Sequence, residues 1–333
     1  MAVFSKDYAD MLRAFIEAHE FFYIVGHKEP DGDCVASCLG IAAILDHLKK
    51  PYKLLSAGPF KRTDILKFES LFSNELDFQT SEEIKNTGLI IVDCSELHRL
   101  GELDGDVRNY DTFIIDHHKT SGDPAKDNPS TVKFIDPNSP ACSYLVQLFY
   151  ETIIGPIPKE TAETLFLGFC TDTGFFRFLN ENSDPYIEGA ARLVKYGAIP
   201  RETYRTINSG KPFSTRKLLG ILLERTELYL DGKLALTYET LNDTKQYGQE
   251  GRDSDALYSA LLSCRGVEAV VFLRQDSINT CTGGFRSQDK VDVSVVAQKF
   301  NGGGHKNASG LSTEGRLETL IPAIVKEFAR VMN

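Results

Sequence analysis

Short apolar runs alternate with helix-like segments along the first two hundred residues, and this alternation limits the fold more than any other feature of the sequence. The run FFYIVGH (21–27) has the length of a strand, and CVASCLGIAAILDHLKK (34–50) has the pattern of a helix. GLIIVDCS (88–95) and TFIIDHH (112–118) are two further strand-like runs. Strands that alternate with helices are typical of βαβ units. We therefore predict an α/β fold with a mainly parallel sheet flanked by helices.

The chain is long enough for two domains. Its 333 residues compare with roughly 150 residues per domain, and the polar segment AIPRETYRTINSGKPFSTRK (198–217) is the candidate boundary. Beyond it, the Asp231-Gly232 turn signal predicts a hairpin. We predict a first domain over residues 1–190, a helical linker over 191–214 and a smaller α/β domain over 215–333, with the active site in the cleft between the two domains.

Acidic and histidine residues stand where the predicted strands end. His27, Asp93 and Asp116 each follow an apolar run, and two adjacent histidines, His117 and His118, come after Asp116. In open α/β sheets, ligands bind outside the carboxyl ends of the strands. These side chains are therefore expected to share one site.

Further carboxylates belong to the same pattern and favour a metal centre. Asp31 and Asp33 flank Gly32, and Asp172 lies in the segment CTDTGFF. Carboxylates gathered at strand ends repel one another unless cations neutralise them. Oxygen and imidazole ligands suit Mn, Mg, Fe, Co or Zn, and a carboxylate majority favours Mn or Mg. The ligands suffice for two ions, an arrangement that recurs in phosphoryl hydrolysis.

Each of these residues also has a simpler interpretation. An aspartate at a strand end is often a helix cap or a turn residue, and a single buried histidine is usually a hydrogen-bonded core residue. The aromatic run Phe175–Phe178 could stack on a nucleobase, although core packing is the interpretation that we favour.

The second domain contains a candidate anion site. The segment NGGGHKNASG (301–310) has three consecutive glycines, Gly302, Gly303 and Gly304, followed by His305. Backbone N–H groups exposed by glycines can bind a phosphate or a carboxylate, and Arg286 lies in the same domain. The alternative is a flexible turn between a helix and a strand.

Composition excludes some classes of function. The net charge of −10 argues against binding long nucleic acids, which requires the neutralisation of many phosphates. No apolar run reaches the roughly 18 residues of a membrane span, and the first residues do not resemble a secretory signal. Seven scattered cysteines suit free thiols in a reducing compartment. We therefore expect a cytoplasmic protein that does not act at a membrane.

Five motifs together resemble the DHH phosphoesterases, a family named for the Asp-His-His triplet found here at Asp116–His118. The family also shares H-x-x-P-D-G-D, V-D and T-D-T-G motifs, and its DHHA1 module carries G-G-G-H-x-x-A-x-G. The corresponding segments here are, in the family's order, His27–Asp33, Val92-Asp93, Asp116–His118, Thr171–Gly174 and Gly302–Gly310. The resemblance spans both domains, and it is greatest to the stand-alone bacterial DHH–DHHA1 proteins.

The resemblance implies a centre of two divalent ions, most simply Mn²⁺, and a role for each matching residue. Asp93 would bridge the ions, His118 would face the substrate phosphate, and Asp116 would orient an imidazole. The remaining ligands would be His27 and Asp31 for one ion, and Asp33, His117 and Asp172 for the other. Substrate binding would fall to Arg286, Ser287, His305 and the backbone of Gly302–Gly304.

The resemblance further implies hydrolysis of short nucleotides. Candidate substrates are RNA oligonucleotides of a few residues, dinucleotides and pAp (adenosine 3′,5′-bisphosphate), and the family suggests a homodimer. Cyclic dinucleotides are an alternative substrate class. A nucleotide sensor without turnover, and a protein whose metals are purely structural, are alternatives of other kinds.

Overall fold

The computed structural model describes residues 4–76, 86–118, 130–248, 252–288 and 290–332. The chain divides into two compact units, Met1–Gly210 and Lys211–Asn333. The predicted linker, residues 191–214, is divided between them. Its first part belongs to the first unit because helices Asp184–Lys195 and Pro200–Asn208 pack against helix Lys159–Asp172.

The first unit contains a five-stranded parallel sheet with the strand order β2-β1-β3-β4-β5. Its strands are β1 (Phe21–Val25), β2 (Tyr52–Leu55), β3 (Thr87–Val92), β4 (Asp111–Asp116) and β5 (Val132–Ile135). Its described helices are α1 (Lys6–Ala18), α2 (Gly32–His47), α3 (Asp104–Val107), α4 (Cys142–Ile153), α5 (Lys159–Asp172), α6 (Asp184–Lys195) and α7 (Pro200–Asn208), with 3₁₀ segments at Leu66–Leu71 and Leu97–Leu103.

Both faces of this sheet are buried, which explains why its strands are continuous apolar runs. On β1, Phe22 and Ile24 contribute to one core cluster, whereas Tyr23 and Val25 contribute to a second. This division follows from the alternation of side chains along a strand. The strands can therefore end in polar residues only at the edges of the sheet, where the chain leaves the core.

Helices α2 and α5 approach each other closely at Gly168. A Cβ atom at this position would lie 2.6 Å from Ala36 Cβ and 2.9 Å from Ser143 Oγ, closer than real Cβ contacts. The missing side chain therefore allows α5 to pack tightly on α2. Because Asp33 lies in the first turn of α2 and Asp172 ends α5, this packing brings two distant aspartates together.

The second unit contains a six-stranded mixed sheet with the order β10-β11-β9-β8-β7-β6. Its strands are β6 (Glu227–Tyr229), β7 (Leu234–Glu239), β8 (Ala269–Gln275), β9 (Thr280–Ser287), β10 (Gly303–His305) and β11 (Ala308–Glu314). Its described helices are α8 (Phe213–Glu224), α9 (Leu241–Tyr247), α10 (Ser254–Leu262), α11 (Val293–Gln298) and α12 (Leu317–Val331).

The glycine-rich segment of this unit is not the loop that the sequence suggests. Gly303–His305 forms an edge strand that pairs antiparallel with β11. A Cβ atom at Gly302 would lie 2.2 Å from the carbonyl oxygen of Gly310. Gly304 has φ of 140° and would place a Cβ 2.6 Å from the carbonyl oxygen of Ala308. These two glycines are thus required by a close backbone approach, which the sequence pattern alone does not reveal.

The predicted α/β architecture is confirmed, with a parallel first sheet and a smaller second unit. The hairpin at Asp231-Gly232 is also confirmed, since β6 and β7 pair antiparallel and both turn residues have positive φ. None of the helices in the described part of the chain combines the length and apolar character needed to cross a membrane.

Candidate metal centre

Five elements of the first unit bring acidic and imidazole side chains to one edge of the parallel sheet. His27 follows β1, Asp93 follows β3, and β4 ends at Asp116, just before His117 and His118. Strands β1, β3 and β4 are neighbours in the sheet, so their carboxyl ends lie side by side. The helices add Asp33 at the start of α2 and Asp172 at the end of α5.

Asp93 lies between two imidazole rings. Its Oδ2 atom is 3.4 Å from His27 Nε2, and its Oδ1 atom is 3.3 Å from His117 Nε2. The residue is 1% exposed, and its φ of 58° falls in the left-handed region that non-glycine residues rarely adopt. The two oxygens of one carboxylate therefore face two different rings, which is the arrangement that a bridging ligand requires.

Both rings are oriented by their other nitrogen. His27 Nδ1 lies 2.9 Å from the carbonyl oxygen of Lys28, and His117 Nδ1 lies 3.1 Å from that of Ser139. A carbonyl can only accept, so each Nδ1 carries a proton and donates it. In a neutral ring, Nε2 then presents a lone pair toward the carboxylates. Metal-binding histidines are usually held in this way.

Asp33 is fixed by the first turn of α4. Its Oδ2 atom accepts from the backbone N–H of Cys142 at 2.6 Å, and its Oδ1 atom accepts from that of Ser143 at 2.9 Å. Helix N-termini favour negative charge, so this contact stabilises a carboxylate that is otherwise fully buried. His117 Nε2 lies 3.9 Å from Asp33 Oδ2 and 3.3 Å from Asp172 Oδ2.

This cluster of side chains contains more carboxylates than imidazoles. Burial and the nearby Asp93 raise the pKa of Asp33 to about 7. Burial and the charges of Asp33 and Asp93 raise the pKa of Asp172 to about 9. Burial alone would lower the pKa of His117, but Asp93, Asp33 and Asp172 raise it to about 10. Protons are thus drawn to the cluster, as expected of a site that attracts cations.

Two buried atoms give an independent test of whether this donor set fits a cation. Asp93 Oδ1 and His117 Nε2 are shielded from solvent and face each other at 3.3 Å, but neither makes a hydrogen bond of good geometry with any described residue. Buried polar atoms rarely stay unpaired in native proteins. A carboxylate oxygen and an imidazole nitrogen are both ligands for divalent transition metals, so the residues fit a metal ion.

The described part of the chain contains three groups of side chains that could hold a metal. In each group, one ligand atom per residue lies within 4.8 Å of the others. The groups are His27 with Cys34 and Asp93, Asp33 with His117 and Asp172, and Asp93 with His117 and His118. Cys34 was not among the predicted ligands, because the sequence analysis interpreted all seven cysteines as free thiols. Its position directly after Asp33 was the available signal.

Asp116 is placed to orient His118 through a side-chain contact. Its Oδ1 atom accepts from His118 Nδ1 at 2.8 Å and from the backbone N–H groups of His117 and His118 at 2.7 and 3.0 Å. Burial opposes ionisation of Asp116, but these bonds with His118 lower its pKa. The His118 side chain is 32% exposed, against 12% for His117, so His118 is the more accessible ring.

Asp31 lies at the margin of the cluster. Its Oδ1 atom accepts from the backbone N–H groups of Asp33 and Cys34, both at 3.0 Å, and so caps α2. The same atom is 3.9 Å from His27 Nε2. The helix-cap interpretation is therefore correct for Asp31, and a capping residue can still present its other oxygen to an ion.

The second unit has a separate concave surface with a volume of about 430 Å³. Arg286 and Gly303 line it, together with Arg252, Arg274 and Tyr258, which the sequence did not single out. The Arg286 guanidinium lies over the Tyr258 ring, 4.7 Å from its centroid. Arg274 contacts an aspartate on its own hairpin, whereas no acidic ion-pair partner of Arg286 is found in the described residues.

The other predicted substrate-binding residues of this unit differ in whether their side chains are exposed to a ligand. The Ser287 hydroxyl donates to the carbonyl oxygen of Val291 at 2.6 Å and is buried, so it is engaged within the fold. His305 is exposed, and its carbonyl oxygen accepts from the Ser309 hydroxyl at 2.8 Å. A ligand would contact the His305 ring by approaching the edge strand β10.

The aromatic run after Asp172 is split between core and surface. Phe175 and Phe176 pack against the main core cluster of the first unit, as the core-packing interpretation predicts. Phe178 is 68% exposed, and Arg177 lies over its ring. A Cβ at Gly174 would lie 2.5 Å from the Phe178 ring, so this ring covers the backbone two residues beyond Asp172.

Comparison with known proteins gives matches to two family models and several relatives. The model described as DHH family, N-terminal domain, matches residues 21–169, and the DHHA1 domain model matches residues 233–333. The bifunctional oligoribonuclease and PAP phosphatase NrnA of Thermus thermophilus is 27% identical over 319 residues, which are 92% of this chain and 90% of that protein.

Two further similarities bear on substrate and fold. The cyclic-di-AMP phosphodiesterase GdpP of Bacillus subtilis is 28% identical over 330 residues, covering 92% of this chain but 47% of that protein. The crystal structure of an exopolyphosphatase-related protein from Bacteroides fragilis covers the whole of both chains, with a TM-score of 0.84 and 24% identity. The structural similarity shows a shared fold.

Proposed function

Because the chain belongs to the DHH phosphoesterase family and also carries a DHHA1 domain, we propose that it hydrolyses short oligoribonucleotides to 5′-mononucleotides and pAp to AMP. The observation that carries the proposal is the Asp93 carboxylate, whose two oxygens each face a differently placed imidazole. The similarity to a bifunctional oligoribonuclease and PAP phosphatase over nine-tenths of both chains supports this choice of substrates.

We propose that two divalent cations, Mn²⁺ for turnover, are held by the clustered side chains. Asp93 is the shared ligand, with His27 and Asp31 on one side and Asp33, His117 and Asp172 on the other. When bound, such cations stabilise the charge that develops on a phosphoryl group and lower the pKa of an attacking water.

The chain's own residues then orient the reaction. Asp116 holds the His118 ring through Nδ1, so that Nε2 is directed away from this carboxylate. In our proposal, His118 Nε2 donates a hydrogen bond to a phosphoryl oxygen, where negative charge grows in the transition state. The protonated ring can also give its Nε2 proton to the leaving oxygen as a general acid.

We assign substrate binding in the second unit to Arg286, the Gly302–Gly304 backbone and His305. The concave surface of about 430 Å³ is within the usual range for small-ligand sites. Arg286 supports the assignment because it lines this surface without an acidic ion-pair partner in the described residues. Ser287 contributes by fixing the end of β9 through its bond to Val291.

A substrate panel with Mn²⁺ tests the proposal. Di- to pentaribonucleotides, pAp, cyclic di-AMP and pyrophosphate are incubated with the protein, and the products are separated by chromatography. We expect 5′-mononucleotides from the oligoribonucleotides, AMP from pAp and little turnover of pyrophosphate. Turnover of cyclic di-AMP alone would instead support the second candidate, a cyclic-dinucleotide phosphodiesterase, which the similarity to GdpP favours.

Two non-catalytic candidates make different predictions. A nucleotide sensor would bind pAp or dinucleotides without releasing product in any arm of the panel. A protein with purely structural metals would unfold when its metals are chelated, whereas we expect chelation to stop turnover while the circular dichroism spectrum stays native.

We also propose that the protein is a cytoplasmic homodimer. Cell fractionation tests the location, and native mass measurement tests the oligomeric state.

A further inference from the structure

A buried thiol lies beside the metal-binding side chains. Cys34 is 2% exposed and follows Asp33 in the first turn of α2. Its Sγ atom is 3.9 Å from the carbonyl oxygen of His27. A Cβ at Gly26, one residue before His27, would lie 2.2 Å from the same sulfur. The sulfur therefore lies against the end of β1, next to His27, which is the first predicted metal ligand along the chain.

The distances in this group approach those of a metal site. Cys34 Sγ, a His27 ring nitrogen and an Asp93 carboxylate oxygen lie within 4.8 Å of one another, and His27 Nε2 and Asp93 Oδ2 are already 3.4 Å apart. In a tetrahedral zinc site, with bonds of about 2.0–2.3 Å, neighbouring ligand atoms are about 3.5 Å apart.

The second observation is that the two oxygens of Asp93 face different partners. Asp93 is 1% exposed; its Oδ2 atom lies 3.4 Å from Nε2 of His27, the ring that is grouped with Cys34, and its Oδ1 atom lies 3.3 Å from His117 Nε2. Neither of the other two groups found in the described ranges includes a cysteine. The two sides of Asp93 therefore differ in chemistry, one with sulfur and nitrogen donors and the other with carboxylates and imidazole.

We propose that Cys34, His27 and Asp93 form a position for one thiophilic divalent cation such as Zn²⁺ or Cd²⁺, which competes there with Mn²⁺. Thiolate ligands select such ions, whereas carboxylate sets suit Mn²⁺. The Cys34 proton leaves to solvent when the sulfur–metal bond forms. The inference rests on the proposed function, in that it deepens the chemistry of the same metal centre.

Cadmium titration of the metal-free full-length protein tests the position, because a Cd–thiolate bond gives a charge-transfer band in the ultraviolet. Cys264 is the exposed cysteine and the other six are buried, so every variant carries Cys264→Ala. We expect the band to reach its plateau at one equivalent, to be lost in Cys34→Ala and to persist in Cys38→Ala. Cys38 is a matched control, since it is buried on the same helix but belongs to none of the three groups.

Loss of the band in Cys38→Ala with retention in Cys34→Ala would overturn the assignment, as would absence of the band in the parent. If Cys34→Ala does not fold, X-ray absorption of the parent with one equivalent of Zn²⁺ decides the question, and a first shell without sulfur at about 2.3 Å refutes it. Mn²⁺-dependent cleavage of a dinucleotide is measured on the same preparations. Cleavage without the band refutes only the Cys34 position, and the band without cleavage refutes only the proposed function.

Discussion

The Asp116→Asn variant tests the contribution of one negative charge. Asp116 contacts His118 but belongs to none of the three candidate metal groups. The Asp116 Oδ1 atom accepts three hydrogen bonds at 2.7–3.0 Å, and one of them comes from His118 Nδ1. Asparagine preserves the size of the side chain and an accepting oxygen. The substitution removes the negative charge that fixes Nδ1 of His118 as the protonated nitrogen.

The magnitude follows from the strength of that contact. Hydrogen bonds to charged groups contribute about 1.5–3 kcal/mol, against about 1 kcal/mol for neutral pairs. Residues that orient a catalytic or metal-binding imidazole typically affect activity by about 10–100-fold, which corresponds to about 1.4–2.7 kcal/mol. Because asparagine keeps a neutral hydrogen bond, the cost is the difference, about 0.5–2 kcal/mol, whose upper part overlaps the second range. We therefore expect kcat for dinucleotide cleavage to fall about 10–30-fold, with KM nearly unchanged.

The assay combines steady-state cleavage with calorimetric titration of Mn²⁺. Asp111→Asn is the matched control, because Asp111 begins the same strand and contacts His19 at 3.4 Å at the opposite edge of the sheet. We expect the control to keep its kcat and Asp116→Asn to keep its Mn²⁺ affinity. Unchanged kcat in Asp116→Asn, or a loss of Mn²⁺ affinity as large as the loss of kcat, would refute the orienting role.

Three further variants test other parts of the structure. Asp93→Ala combined with His117→Ala should abolish turnover in the substrate panel, and retained turnover would contradict a shared metal ligand. Gly168→Val should lower the free energy of unfolding in urea by about 1–3 kcal/mol, since overpacked helix contacts cost this much. Burial opposes ionisation of Asp243, but Arg225 lowers its pKa to about 2. Because a lowered carboxyl pKa stabilises the fold only while the group is ionised, Asp243→Asn should destabilise the protein at pH 7, and its difference from the parent should vanish as pH falls from 4 to 2.

The strand-end residues were predictable because their placement follows from local sequence and one rule of sheet geometry. An apolar run that ends in His27, Asp93 or Asp116 defines both a buried strand and the point where the chain leaves the core. Parallel strands then bring such ends to one edge. The grouping of Asp33 with Asp172 followed from the motifs, but its physical cause, the close contact of two helices at Gly168, appears only in three dimensions.

Other features could not be predicted from the sequence. They depend on how closely two backbone segments approach each other, or on contacts between residues that are far apart in the chain. Gly302 and Gly304 serve an edge strand whose tight contacts involve carbonyl oxygens several residues away. Arg274 and Arg252 join Arg286 on one surface only because of the order of strands and helices in the second unit. Cys34 had the pattern of a core residue, and its distance from His27 depends on how α2 meets the end of β1.

The left-handed backbone of Asp93 carries a conformational cost. With φ of 58°, residue 93 adopts a conformation that costs an L-residue about 1 kcal/mol and that glycine adopts freely. Asp93→Gly would release this strain, but it would also leave the His27 and His117 rings without the carboxylate that each of them faces. Burial raises the pKa of Asp93, but these two imidazoles hold it below its usual value. The strained backbone is therefore tolerated because it places one carboxylate where it serves two rings at once.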